Sequence, residues 1–262
     1  MSDRSYTPRS VPGNRLQYPR RVDASRPVID VTFVAAAAVP ATLASHVLDE
    51  DEHARWSRLH PTGQGLFLAA HLAARMLVAL RISLETDPPA APDPSEMGWA
   101  VGPSGKPRVT FRDGRPQPLH VSVAHGGGLA AAAVCDRGPI GVDVEHVDPR
   151  RDVLALARRF FSPEDHAQLA ACDGEARVTR FHQLWTRKEA VLKTTGAGLR
   201  GGLGVDVDGD PDADGWRRVR LPGHDAPLYV RDLRPPAADV CGALAIEGQP
   251  GEVRSVQVWM GG

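Results

Sequence analysis

Along this chain the spacing of apolar residues switches repeatedly between a period of two and a period near 3.6, the marks of strand and helix. Residues 28–39 begin with the β-branched run Val28-Ile29-Asp30-Val31-Thr32 and predict a first strand. Residues 41–59 read as a helix, with Asp49 to Glu52 followed by Arg55 and Arg58 at helical spacing, broken at Pro61-Thr62-Gly63. Residues 64–83 predict a long helix, residues 86–95 a loop rich in Pro and Asp, and Gly102 to Pro107 a turn. Residues 119–124 and 129–135 predict strands around His125-Gly126-Gly127-Gly128, which suits a hairpin turn or a close approach of ligand to backbone. Gly141-Val142-Asp143-Val144-Glu145 is a further strand and residues 152–161 a helix. Ser162 then caps another helix, with Pro163 at its first position. The helix through Phe181 to Lys193 ends at Gly196 and Gly198. Residues 206–214 are an acidic loop without the closing Glu of a calcium site, and residues 228–233, 240–246 and 255–259 are strand-like.

Helices followed by antiparallel-looking strands occur twice. The expected fold is α/β (α+β) in two pseudo-symmetric halves, each with helices packed on a small, mainly antiparallel sheet, and an active site between them. The expected divisions are a disordered, Arg-rich leader at 1–27, an N-terminal half at 28–136 and a C-terminal half at 137–262.

Composition narrows the function classes. A formal net charge of -1 with 24% charged residues offers no general attraction to nucleic acid or to a membrane surface. The longest apolar segment, residues 66–84, is interrupted by His71, Arg75 and Arg81, which predicts a buried helix in place of a membrane span. Cys135, Cys172 and Cys241 are scattered and odd in number, against both a disulfide framework and a structural zinc site. No signal peptide is readable, so a cytoplasmic location is expected.

Two elements carry candidate chemistry. The period of two puts Asp143 and Glu145 on one side of their strand, with Val142 and Val144 on the other. On the later helix Phe181, Trp185, Glu189 and Lys193 are four apart, which places them along one face. Three carboxylates and an ammonium on two rigid elements suit a hard divalent cation and a phosphate-bearing substrate. The plainer alternative for Glu189 and Lys193 is an i, i+4 salt bridge, and for Trp185 simple packing. Lys188 reads equally as a solvated side chain or a phosphate contact. His71 and Arg75 form either a solvated stripe or a contact to a ligand phosphate.

The strand motif, then Arg159-Phe160-Phe161-Ser162-Pro163-Glu164, then Trp185, Lys188, Glu189, Ala190 and Lys193 resemble in order and spacing the Sfp-type 4′-phosphopantetheinyl transferases. The resemblance implies transfer of the phosphopantetheine arm of coenzyme A to a serine of an apo acyl or peptidyl carrier protein, with release of adenosine 3′,5′-bisphosphate. It implies Mg²⁺, or Mn²⁺ in its place, on Asp143, Glu145 and Glu189, and catalytic roles for Glu189 and Lys193. Coenzyme A contacts are implied at Gly105, Lys106, Pro107 and His125, and a monomer is expected, since both halves lie in one chain. The alternative on this scaffold is a non-catalytic coenzyme A or carrier-protein binding module. Two departures stand out. Ala124 occupies the position of a usual serine, and Gly65-Leu66-Phe67 lacks the basic residue that usually meets the 3′-phosphate, leaving Arg55, Arg58, Arg75 or Lys106 as substitutes.

Overall fold

The computed structural model describes residues 25–85, 91–102, 106–196, 198 and 202–257. It is a mixed α/β fold with helices and two small sheets. The first sheet contains β1 (Val28–Ala35), β2 (Met97–Val101), β3 (Pro107–Phe111), β4 (Pro116–Gly126), β5 (Leu129–Cys135) and β10 (Glu252–Ser255), in the order β10-β1-β5-β4-β3-β2. The second contains β6 (Ile140–His146), β7 (Arg217–Val219), β8 (Leu228–Leu233) and β9 (Val240–Glu247), in the order β6-β9-β8-β7. All pairings are antiparallel except β1 with β10. The C-terminal strand β10 thus joins the sheet built otherwise from the first half of the chain.

Side-chain alternation explains the layering. In β5, Ala130, Ala132 and Val134 face the long helix α3 (Pro61–Glu85), while Ala131, Ala133 and Cys135 face the second sheet. Across that inner layer they meet Ile140, Val142 and Val144 of β6 and Leu244 and Ile246 of β9. The outer face of the second sheet, through Val230, Ala243 and Ala245, packs on Leu184, Val191 and Leu192 of α6 (Gly174–Thr195). The result is helix, sheet, sheet, helix, and the run of alanines in β5 lets the central layers approach closely. By length and hydropathy α3 could cross a membrane, but 61% of its apolar window is buried inside the protein, as expected of a core helix.

Several elements differ from the sequence reading. Strand β1 stops at Ala35, and a 3₁₀ turn, Ala36–Ala38, follows. The helix expected over residues 41–59 is divided into α1 (Ala44–Val47) and α2 (Glu50–Trp56), because Asp49 and Glu52 form a capping box that restarts it. Pro61 opens α3 as its first residue. Strands β2, β3 and β7 have no counterpart in the sequence reading; β2 and β3 alternate but are only 5 residues long, and β7 has 3. The last strand among the described residues is β10 at 252–255; of the strand expected at 255–259, residues 258 and 259 lie outside the described residues. Helices α4 (Val153–Phe160) and α5 (Pro163–Ala171) form as expected, the latter with the Ser162 cap. Most of the leader expected at 1–27 lies outside the described residues.

Two readings left open from sequence are settled differently from either alternative. His71 and Arg75 neither line a solvated stripe nor await a phosphate; both bind the buried carboxylate of Glu52, at 2.6 Å each. Burial raises Glu52, but the hydrogen bond from His71 and the charge of Arg75 hold it down to about 2. Lys188 is wholly buried, donates to Asp165 at 2.7 Å and to the Val205 carbonyl, and sits over the Phe161 ring. The Trp185 ring packs against Phe160, Phe161 and Phe181, in accord with a packing role.

Truncating Lys188 would strand Asp165 in the core. Lys188→Ala is expected to destabilise by about 3–5 kcal/mol in urea titration, whereas Asp165→Leu with Lys188→Met is expected to recover most of that loss.

Candidate active site

The site forms where α6 crosses the outer face of β6. Gly141 makes the crossing possible: a Cβ there would lie 2.0 Å from the Ala190 carbonyl and 2.7 Å from the Thr194 amide. Only a residue without a side chain permits this approach. Val142 and Val144 point into the inner core, which leaves Asp143 and Glu145 facing α6. Next to β6 on the other side, a Cβ on Gly126 would stand 2.4 Å from the Val144 carbonyl, so the end of β4 also abuts this strand. The Ser122 hydroxyl, in β4, accepts the Val142 amide at 3.0 Å and ties the two sheets together.

Within the crossing, Lys193 Nζ donates to Asp143 Oδ1 at 2.8 Å and to the Val142 carbonyl at 3.2 Å. The lysine thus reaches across to the strand, and the i, i+4 pair with Glu189 does not form among the described contacts. Asp143 is only 6% exposed, and its Oδ2 is buried with no hydrogen-bond partner. A buried acceptor left unsatisfied costs roughly 1–3 kcal/mol, and more when charged. Burial pushes the Asp143 carboxyl up, and Lys193 pulls it part of the way back. Glu145 is raised by burial, Asp143 and Glu189, with Arg151 opposing at 3.9 Å. Glu189 is raised by burial and by Asp143. Three carboxylates therefore act electrostatically on one another, the field that a bound cation relieves.

That field and the orphaned Asp143 oxygen suit a hard divalent ion. The side chains are nevertheless not arranged as a ready cage: among the described residues no group of three His, Cys, Asp or Glu side chains converges closely enough to hold a metal. Lys193 occupies one Asp143 oxygen and Arg151 leans on Glu145, so rotation of these side chains would accompany any metal entry.

The remaining expected contacts fall as follows. His125 is exposed at the end of β4, near enough to Asp143 to lower its pKa slightly. Ala124 is buried at 5% and has no hydroxyl to offer. Gly105 lies outside the described residues. Pro107 lines a cavity of about 220 Å³ with Arg55, His71 and Trp99. Lys106 does not present its amine as an open phosphate contact; it donates to the Ile140 carbonyl at 3.0 Å and the Thr194 carbonyl at 2.7 Å.

Sequence reading gave no role to Gly141, to Arg151 or to His182, a buried side chain on α6. Gly141 had a signal, being a glycine inside a strand pattern. Arg151 and the buried His182 had none. His182 Nδ1 lies 2.8 Å from the Val178 carbonyl and its Nε2 is buried without a partner. Helix α6 is further held by Arg187, which meets both oxygens of Asp232 at 2.7 Å and Asp208 at 2.8 Å.

Residues 139–241 match the family model described as the 4′-phosphopantetheinyl transferase superfamily. A relative from Synechocystis sp. is 37% identical over 158 residues, 60% of this chain and 60% of its own. The 4′-phosphopantetheinyl transferase psf-1 of Bacillus pumilus is 37% identical over 113 residues, 43% of this chain and 47% of its own. The 4′-phosphopantetheinyl transferase Sfp of Bacillus subtilis (strain 168) is 31% identical over 140 residues, 53% of this chain and 58% of its own. The chain thus spans between 47% and 60% of the length of these curated relatives. The resemblance carried by the three motifs is borne out over this C-terminal segment.

Gly141→Ala is expected to force α6 off β6, destabilising by about 3 kcal/mol, the upper end for overpacking, as read by chemical denaturation. Because Asp143, Glu145 and Glu189 bind protons more tightly folded than unfolded, their contribution to stability falls as pH rises from about 4 through their raised folded values. Glu189→Gln is therefore expected to match or exceed the parent melting temperature at pH 7 in a thermal scan. A clear drop would contradict this electrostatic account.

Proposed function

We propose that the chain transfers the 4′-phosphopantetheine arm of coenzyme A to a serine of an apo acyl or peptidyl carrier protein. The observation that carries this reading is the Lys193–Asp143 contact with its unpartnered Asp143 oxygen, set between the two motif elements of the superfamily segment. In the transfer, the carrier serine oxygen forms a bond to the phosphorus bearing the pantetheine arm. The bond from that phosphorus to the bridging oxygen breaks, and adenosine 3′,5′-bisphosphate leaves.

Glu189 takes the serine proton, directly or through a water. Its raised affinity for a proton suits this role better than an ordinary carboxylate would. Lys193, on the same face one turn later, neutralises or protonates the leaving phosphate. Asp143, Glu145 and Glu189 would hold Mg²⁺, or Mn²⁺ in its place, which when bound supplies charge neutralisation on the pyrophosphate. Coenzyme A would run past His125 and the segment Gly105-Lys106-Pro107, where Lys106 contributes backbone because its amine is committed elsewhere. A monomer, with both halves in one chain, and a cytoplasmic location belong to the same proposal. A non-catalytic binding module has no need of Glu189 and Lys193 beside the other two carboxylates, which favours the enzyme.

The test is to incubate the protein with coenzyme A, Mg²⁺ and apo carrier proteins of several types and to weigh the carriers by mass spectrometry. A gain of one phosphopantetheine arm is expected, and Glu189→Gln is expected to lower the rate by at least about a hundredfold, the scale of a lost general base. No gain on any carrier would favour the binding module.

A further inference from the structure

The chain contains three lysines: Lys106, Lys188 and Lys193. Two of them are ion-paired at close range, Lys188 with Asp165 and Lys193 with Asp143. Lys106 is different. Its hydrogen-bond partners are two neutral carbonyls, Ile140 at the start of β6 and Thr194 at the end of α6. A free amine has two N–H bonds and one lone pair. Two carbonyl acceptors therefore satisfy the neutral form completely, and loss of the third proton forfeits neither hydrogen bond.

The surroundings favour that neutral form. Burial pushes the Lys106 amine down to about 8 from its usual 10.5, with Glu247 opposing only in part. The other titratable or charged groups around it, among the described residues, are His120 on β4, held down mainly by burial and further by any charge on Lys106, and Arg108 on β3. Lys106 also lines a cavity of about 380 Å³ with Val109, Pro118, Leu119, His120 and Pro139, distinct from the Asp143–Lys193 crossing. The wall there is mainly apolar and has room for a short acyl group.

We propose that Lys106 is a nucleophilic amine open to acylation by a small activated acyl donor, and that its acylation loosens the tie between the turn at 106, β6 and α6. The amine nitrogen attacks the acyl carbon and an N–C bond forms. The carbon–sulfur bond of a thioester, or the carbon–oxygen bond of an acyl phosphate, breaks, and the proton shed by nitrogen ends on the departing thiolate or phosphate. The amide so formed keeps one N–H where the amine had two, so one of the two carbonyls loses its donor. This inference is argued from the two carbonyl contacts and the cavity, apart from the transferase reading, and the acetyl phosphate arm below tests it without coenzyme A.

The experiment treats the full chain at pH 7.5 with acetyl-CoA in one arm and acetyl phosphate in the other, followed by peptide mapping of all three lysines. Lys106 is expected to acquire acetyl on the order of tenfold faster than Lys188 or Lys193, because Lys188 is wholly buried and both of those amines are ion-paired, while a fall from 10.5 to about 8 enlarges the free-base fraction of Lys106 on the order of two hundredfold and weakens each amine somewhat. Labelling in the first arm alone identifies a thioester source, in the second alone an acyl phosphate, and in both a generally reactive amine. The labelled protein is also expected to melt at a lower temperature than Lys106→Arg treated identically, since arginine keeps donors for both carbonyls. Equal labelling of the three lysines, or none at Lys106 in either arm, overturns the proposal. Should the arginine variant not fold, the site ranking within the parent protein still decides.

Discussion

Everything at the candidate site depends on how near α6 comes to β6. The missing side chain at Gly141 allows the helix backbone to rest against the strand, with the Ala190 carbonyl and the Thr194 amide where a methyl group would otherwise sit. At that separation a lysine one turn from the helix end can reach a carboxylate on the strand and a strand carbonyl together. The same closeness buries Asp143 and turns the three carboxylates into one coupled group. Side-chain chemistry here is a consequence of backbone packing.

The other buried charges provide the contrast. Glu52 has His71, Arg75 and a backbone amide; Lys188 has Asp165 and a carbonyl; Arg187 has both oxygens of Asp232 and one of Asp208. These clusters pair each buried charge with an opposite one, as buried ions must be paired to be tolerated, although Arg75 Nε has no partner. At the α6–β6 crossing, by comparison, like charges stand together and an Asp143 oxygen is left without a partner. A folded chain keeps such an arrangement where something else completes it, and strained electrostatics of this kind concentrate at working sites.

The four-layer arrangement also accounts for the unusual composition of β5. With α3 on one face and the second sheet on the other, a strand of alanines fills both interfaces without pushing them apart. The close central packing sets β4 against β6, through Gly126 and the Ser122 hydroxyl, and so carries His125 to the edge of the carboxylate group.

Local pattern alone determined the strand bearing Asp143 and Glu145, the sidedness of those two carboxylates, the capped helix at Ser162 and the long helices α3 and α6. Each depends on near-neighbour periodicity or on a cap, which a sequence displays directly. Motif order also marked the segment that the superfamily match covers. Tertiary structure decided the rest. Lys193 could be seen beside Glu189 in sequence, but its choice of Asp143 came from a contact 50 residues away. Lys188 and the His71–Arg75 pair looked like surface chemistry until Asp165 and Glu52, each distant in sequence, enclosed them. Strand β10 pairs in parallel with β1 although more than 200 residues separate them, and nothing in four residues announces such a partner. Periodicity reveals which face of an element is apolar; only the packed chain shows what lies against it.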